Sequence, residues 1–174
     1  MRALGIDPGS RFLGYGVVVK KGNQLAPLEY GTLKVDLKLT SHERLLSIYR
    51  GVSQVLDLYK PEHVAIEKVF FAKDAVAALK LGQARGVTLL AIAERNIPLF
   101  EYSPNEVKRA VSGHGHADKE QIAKMVTLLL GVRDFDTTDT SDALAIAICH
   151  LNSYTYRQCI QDVRITANAK GGPT

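Results

Sequence analysis

Residues 3–18, ALGIDPGSRFLGYGVV, carry the strongest structural signal in this chain. An apolar run ends at Asp7, a Pro-Gly-Ser turn follows, and a second apolar run carries Gly14 and Gly16. Because only a short turn separates the two runs, they are predicted to pair as antiparallel strands. An acid at the end of a strand beside such a turn suits two kinds of site: a loop that cradles phosphate, or a carboxylate held rigidly to bind a metal.

Length and composition favour a single folded domain. The chain has 174 residues, of which 46% are hydrophobic, enough for a substantial core. We expect the domain to cover residues 1–158 and a flexible tail to follow over 159–174. Lys and Arg number 22 and Asp and Glu 18, which gives a net charge of +4 and a pI near 9.1. This excess permits a polyanionic partner without establishing one.

The two cysteines, Cys149 and Cys159, form neither a disulfide framework nor a zinc-binding pattern, which favours a reducing cytoplasm. The N-terminal segment lacks the layout of a secretory signal peptide. No apolar run approaches the length expected of a membrane span, so no membrane partner is expected.

Hydrophobic periodicity and turn signals predict three strands, followed by helices that alternate with two more strands. Capping-box spacing, such as Thr40 with Glu43, marks helix starts. This order predicts a mixed β-sheet covered by helices, in the α/β class. The predicted strands are 3–7, 13–19, 28–35, 63–67 and 98–102, and the predicted helices begin near 40, 74, 104, 118 and 139–141.

Four carboxylates fall at the ends of these elements. Asp7 and Glu67 each end a strand, and Asp139 and Asp142 open the last helix on one face. If they converge, they raise one another's pKa values unless a cation is present. Mg²⁺ accepts carboxylate oxygens, and two such ions can activate a water and stabilise the leaving oxygen in phosphodiester cleavage. Taken singly, each acid could instead be a turn residue, a salt-bridged strand end or a helix cap.

Five motifs, in order along the chain, resemble the RuvC family of bacterial Holliday junction endonucleases, from residue 3 to about residue 150. The motifs are GIDPGSRFLGYGVV, AIEKVFFAK, ALKLGQARG, VKRAVSGHGHADK and DTSDALAIA. The resemblance implies a ribonuclease H-like fold, a mixed β-sheet flanked by α-helices, which agrees with the predicted element order. It also implies a Mg²⁺-dependent crossover junction endodeoxyribonuclease with two ions per active site and Mn²⁺ able to substitute.

The resemblance assigns roles residue by residue. Asp7, Glu67, Asp139 and Asp142 fall on the family's four metal-binding catalytic acids. Lys119 falls on a catalytic basic residue near the scissile phosphate, and a phosphate there would relieve the conflict between this cation and the helix dipole. The implied reaction is in-line hydrolysis that leaves a 5′-phosphate and a 3′-hydroxyl, in DNA recombination and repair.

Other side chains are expected to contact DNA. The resemblance places Lys108 near the site and makes Phe70 an aromatic that disturbs base stacking at the crossover. His114 and His116, in a glycine-rich loop, are interpreted as part of a flexible or DNA-facing loop rather than a metal site. Scattered lysines are usually only solvated, so the remaining cations are weaker candidates for following the phosphate backbone. They are Lys73, Lys80, Arg85, Arg109 and Lys124.

A four-way junction has two-fold symmetric arms, so resolving it with one active site per chain requires a homodimer. The predicted helix 74–95 carries small residues that permit close packing, either against a second copy or against the protein's own sheet. The resemblance further implies RuvA and RuvB, the branch-migration proteins, as partners. The small residues are Ala75, Ala78, Gly82 and Gly86.

The sequence has features that bear on three other functions. The first turn also resembles the phosphate loop of actin-like ATPases, but those proteins need two lobes, and no G-x-x-x-x-G-K-[ST] motif is present. A non-catalytic junction-binding protein gains nothing from carboxylates that face phosphates. A ribonuclease H-like nuclease acting on another branched or structured nucleic acid is the stronger alternative, and the sequence does not exclude it.

Overall fold

The structure is a computed structural model that describes residues 1–68, 74–132, 135 and 137–170, with side chains of the last helix described as far as Tyr154. The strands in this part of the chain are β1 Arg2–Asp7, β2 Phe12–Lys21, β3 Gln24–Lys34, β4 His63–Glu67 and β5 Leu99–Tyr102. They form one sheet in the order β3-β2-β1-β4-β5. The first three strands are antiparallel, and β1, β4 and β5 run parallel.

Helices cover both faces of this mixed sheet, which confirms the predicted α/β class and element order. The helices are α1 Ser41–Tyr59, α2 Ala75–Ala93, α3 Pro104–Ser112, α4 Lys119–Leu130 and α5 Thr138–Lys170. One hydrophobic core lies between the sheet and α1 and α2, and the other lies between the sheet and α3, α4 and α5.

One predicted boundary differs from the structure. The third strand begins at Gln24 rather than near residue 28, because Gly22, with φ of +58°, closes a tight hairpin directly after β2. The last helix extends to Lys170, within the segment 159–174 for which a flexible tail stays a prediction. No glycine or proline occurs between Gly131 and Gly171, so nothing in the sequence ends the helix earlier.

The alternation of side chains along β1 assigns its residues to the two cores. Leu4 and Ile6 point toward α1 and α2, and Ala3 packs in the core on the α5 side. Because successive strand residues face opposite ways, Gly5 and Asp7 share the α5 side with Ala3.

Glycines let the backbone of α5 lie directly on the sheet. A Cβ atom on Gly5 would lie 2.0 Å from the carbonyl oxygen of Ala143, and one on Gly14 would lie 2.0 Å from that of Asp139. A Cβ atom on Gly16 would likewise overlap the Leu144 side chain. These three positions, here called the glycine floor, adjoin one another across β1 and β2, since Gly5 pairs with Gly16.

Helix α2 is long and apolar enough, by length and composition alone, to cross a membrane. The expectation that no apolar run reaches that length was therefore wrong for this helix. A single such helix is weak evidence for a membrane span, because core helices of soluble proteins meet the same criterion. One side of α2 is buried in the fold and consists of Ala84, Thr88, Ala91 and Ile92.

The glycine floor predicts a large cost for a single methyl group. Gly5→Ala forces α5 away from the sheet, because both nearby atoms, the Ala143 oxygen and the Ala147 nitrogen, belong to the backbone. We expect the free energy of unfolding, measured by urea denaturation, to fall by about 2 kcal/mol or more. Gly115→Ala is the control, since its Cβ would lie 3.9 Å from the nearest neighbouring atom. Equal stability of the two variants would contradict this account.

Candidate active site

Asp7 and Glu67 stand at the ends of two adjacent parallel strands. Ile6 pairs with Ile66, so the next residue of each strand leaves the sheet at the same edge. The first and fourth strands are therefore neighbours. Asp7 and Glu67 are both partly buried.

Helix α5 brings the other two acids to this edge. Its first turns carry Asp139 and Asp142. The Asp139 carbonyl rests on Gly14, and Gly14 pairs with Asp7 in the adjacent strand. The glycine floor therefore places the start of α5 beside the end of β1.

The acids border a concavity of about 300 Å³. Asp7, Glu67 and Asp142 line it together with two basic side chains, Lys108 and Lys119. Asp139 does not line the concavity, but its charge acts on Asp7. The remaining wall is mostly apolar and consists of Pro104, Val107, Ile122, Ala145 and Ile146.

Burial and mutual repulsion disfavour the charged forms of these acids. Burial, followed by the charges of Asp142, Glu67 and Asp139 in that order, raises the pKa of Asp7 to about 7. Burial, followed by the charge of Asp142, also raises the pKa of Glu67. Asp7 therefore titrates near neutral pH, as groups at functional sites often do.

Lys119 partly compensates this negative charge. Its ammonium nitrogen lies 3.2 Å from a carboxylate oxygen of Asp142, and this charge raises the pKa of Lys119. Lys119 is the first residue of α4, which begins there because Asp118 caps the helix by accepting a 2.8 Å hydrogen bond from the Gln121 amide. The lysine side chain is largely exposed and can reach a ligand in the concavity.

The donor set suits a hard divalent cation. Carboxylate oxygens dominate the edge of the sheet, and a divalent charge would remove the repulsion that raises the pKa of Asp7. Among the described residues, no three His, Cys, Asp or Glu side chains already stand close enough together to hold a metal ion. The acids therefore share a concavity and an electrostatic field without forming a closed set of ligands.

Arg85 was predicted to contact DNA, but its side chain is directed into the protein. Its guanidinium donates a 2.8 Å hydrogen bond to the carbonyl of Glu67 and forms a salt bridge with Glu101. This arrangement favours a role in fixing the end of β4, which sequence reasoning missed. Glu101 lies near Arg85 because it pairs with Ile66 across β4 and β5, and this pairing is known only from the order of the strands.

The other predicted DNA-contacting residues are distributed more widely. Lys80 lines a second concavity, of about 550 Å³, with Arg11 and Arg44. Lys124 lies 3.6 Å from Glu120 on the exposed face of α4. Phe70 and Lys73 lie outside the described residues.

The histidines of the glycine-rich loop are exposed. His114 Nδ1 lies 2.9 Å from the Ser112 carbonyl oxygen, and the Ser112 hydroxyl donates to the carbonyl of His114. These hydrogen bonds are local to the loop.

The raised pKa of Asp7 predicts that the metal-free protein loses stability as the pH rises. The ordinary pKa of an aspartate is 3.8 and that of Asp7 in the fold is about 7, so between these pH values the folded state binds more protons than the unfolded chain. The free energy of unfolding consequently falls as the pH rises through this window. In EDTA, we expect Asp7→Asn to remove most of this loss, roughly 2–4 kcal/mol by about pH 8, as measured by urea denaturation. Parallel pH curves for the two proteins would contradict the assignment.

The chain matches the family model described as "Crossover junction endodeoxyribonuclease RuvC" over residues 3–150. Among curated relatives with the same description, the protein of Bartonella henselae is 49% identical over 86% of this chain and 89% of its own length. That of Geobacter sulfurreducens is 45% identical over 94% of this chain and all of its own length.

Solved structures show the same relationship. The T. thermophilus RuvC in complex with a Holliday junction substrate is 40% identical, covers 87% of this chain and 93% of its own, and superimposes with a TM-score of 0.82. The yeast mitochondrial resolvase Ydc2 has 16% identity and a TM-score of 0.59, and shares the fold. The expected ribonuclease H-like fold is thereby confirmed. With its matched motifs, its fold and its paired strand-end acids, this chain belongs to the RuvC family of crossover junction endodeoxyribonucleases.

Proposed function

We propose that this chain resolves four-way DNA junctions in recombination and repair, by paired symmetric nicks made at the two active sites of a homodimer. One observation carries the proposal: Asp7, Glu67 and Asp142 line a single concavity, with Lys119 at its rim. Carboxylates that cluster opposite a phosphodiester need a bound cation to offset the repulsion between like charges. A nuclease uses that cation for catalysis. The family of hydrolases to which the chain belongs supports the same reaction.

We assign Asp7, Glu67, Asp139 and Asp142 to bind Mg²⁺, two ions per site, with Mn²⁺ able to substitute. Bound in this way, the cations supply Lewis-acid activation of a water and stabilise charge on the leaving oxygen. Because burial and the neighbouring acids hold the pKa of Asp7 at about 7, its carboxyl group gives up a proton when a cation binds at neutral pH.

Lys119 provides the mobile positive charge of the site. Its ammonium group donates to Asp142, and the exposed side chain can turn from this carboxylate to a phosphate oxygen. Positive charge at that point stabilises the transition state, in which negative charge grows on the phosphate. The apolar wall formed by Val107, Ile122 and Ile146 limits access of bulk water from the protein side. The products are a 5′-phosphate and a 3′-hydroxyl, which a ligase can join.

DNA contacts extend beyond the acids. Lys108 lines the active-site concavity, and its charge partly offsets the burial that raises the pKa of Glu67, so this charge acts where a phosphate would lie. Lys80, with Arg11 and Arg44, gives the second concavity a positive lining that suits the phosphate backbone of an adjoining strand. Phe70 is proposed to stack on bases at the crossover.

The exposed side of α2 supports a homodimer. Val76, Leu79 and Leu90 are 59%, 64% and 53% exposed, although all three are large and apolar. Gly82 and Gly86 lie between them, and a Cβ on either would meet no atom within 4 Å. This open apolar stripe can pack closely against its copy about a two-fold axis. RuvA and RuvB in the cytoplasm are proposed as further partners from the family alone.

The function is tested with a synthetic four-way junction able to branch-migrate and a linear duplex of the same sequence, each incubated with Mg²⁺. We expect symmetric nicks in the junction alone, and we expect the products to be ligatable. Asp7→Asn should still bind the junction but lose cleavage, by about a thousandfold or more, because the removed charge holds the cation.

Each other outcome of this assay would indicate a different function. Cleavage of both substrates would mean that the substrate is a broader class of nucleic acid than the four-way junction. Tight junction binding without cleavage, in Mg²⁺ and in Mn²⁺, would indicate a binding protein. Equal loss of binding and cleavage in Asp7→Asn would make Asp7 a structural residue.

The dimer is tested by light scattering. We expect the wild-type chain to be a dimer and Leu79→Arg to be a monomer, because the charge would be buried in the α2 contact. Leu58→Arg is the matched control, since Leu58 is 66% exposed on α1 and lies outside the α2 stripe. A dimer that persists in Leu79→Arg would exclude this surface.

A further inference from the structure

Three threonine hydroxyl groups form a closed hydrogen-bonded triangle behind the active site. Thr32 on β3 lies 2.5 Å from Thr137 and 2.9 Å from Thr140, measured between the hydroxyl oxygens. Thr137 and Thr140 lie 3.2 Å apart and belong to the start of α5. Each hydroxyl can donate to one neighbour and accept from the other, so the triangle can be fully satisfied.

The triangle also caps the helix that carries two of the acids. Thr137 directly precedes α5, and its hydroxyl accepts a hydrogen bond of 3.3 Å from the backbone amide of Thr140. This is the bond that an N-cap residue makes to the third residue of its helix. Thr140 is 1% exposed, so its hydroxyl is buried with these partners. The edge strand β3 thus holds the cap of α5 through Thr32.

The position of Thr32 in the sheet connects this triangle to the acids. Asp7 pairs with Gly14, and Gly14 pairs with Thr32, so the three residues form one row across β1, β2 and β3. Glu67 ends the neighbouring strand β4 beside Asp7. The start of α5 lies over this row, with the Asp139 carbonyl resting on Gly14.

The glycine floor and the triangle constrain the helix in different ways. The glycines fix how close α5 comes to the sheet, but packing against a smooth surface leaves sliding and rotation only weakly determined. Hydrogen bonds are directional and add what packing lacks. Asp139 and Asp142 lie on the same turns as Thr140, so any rotation of the first turn moves both carboxylates.

We propose that Thr32 is a positioning residue for cation binding, which acts through Thr137 and Thr140 on the placement of Asp139 and Asp142. Thr32 does not line the active-site concavity, so its effect reaches the carboxylates through α5. The inference rests on the proposed function in one respect, namely that these carboxylates bind the divalent cation.

The test compares three variants of the full-length protein, with Mn²⁺ as the probe. Thr32→Val removes the hydroxyl at nearly constant volume, and Thr32→Ser keeps it. Thr127→Val is the matched control, because that partly buried hydroxyl donates only to the Ala123 carbonyl within α4. Mn²⁺ affinity is measured by calorimetry without DNA, and unfolding is measured in EDTA.

We expect Thr32→Val to bind Mn²⁺ about tenfold more weakly than the wild type, as the loss of an outer partner of a metal ligand commonly does. Thr32→Ser and Thr127→Val should bind as the wild type does. The Mg²⁺ concentration for half-maximal junction cleavage should rise by a similar factor in Thr32→Val alone, while junction affinity in EDTA stays unchanged.

Unchanged Mn²⁺ affinity in Thr32→Val would overturn the inference, and so would an equal loss in Thr127→Val or Thr32→Ser. The calorimetric result does not depend on the junction, so failure to cleave junctions would overturn the proposed function without deciding this inference. Absence of Mn²⁺ binding by the wild-type protein would overturn the assignment of the carboxylates and this inference with it.

Discussion

The active site depends on the direct contact between the backbone of α5 and the glycine floor of the sheet. Gly5 and Gly14 leave no room for a side chain, because carbonyl oxygens of α5 occupy the space where a Cβ would be. This contact lets a helix that enters from the far end of the sequence place Asp139 beside Asp7. A side chain at either position would push the helix outward and separate the two pairs of acids.

The charges of the site work against the stability of the empty fold. Asp7 is partly buried beside three other acids, and burial together with their charges raises its pKa to about 7, so the fold disfavours a full negative charge there. Lys119 offsets part of this charge through Asp142. A site that is destabilised without its cation is strengthened when the cation binds, because binding to the folded state alone shifts the folding equilibrium.

The two faces of the sheet serve different purposes. The face covered by α3, α4 and α5 contains the acids, Lys119 and the threonine triangle, and its core is built around the almost entirely buried first half of α5. The face covered by α1 and α2 contributes aliphatic packing, and α2 leaves Leu79 and Leu90 exposed. The active-site concavity and the exposed apolar side of α2 therefore belong to opposite faces of the sheet.

The element order, the α/β class and the placement of four acids at element ends could be predicted from local signals, namely hydrophobic periodicity, capping boxes and strand-end carboxylates. The neighbours of those acids could be identified only from the folded structure. The inward direction of Arg85 follows from the pairing of β4 with β5, and the role of Thr32 follows from the register of β3 on β2. Gly14 could be read locally as a turn glycine, yet its purpose is the approach of a helix that begins more than a hundred residues later. Local patterns fix what each segment can form, whereas contacts between distant segments depend on register and packing, which no single stretch of sequence contains.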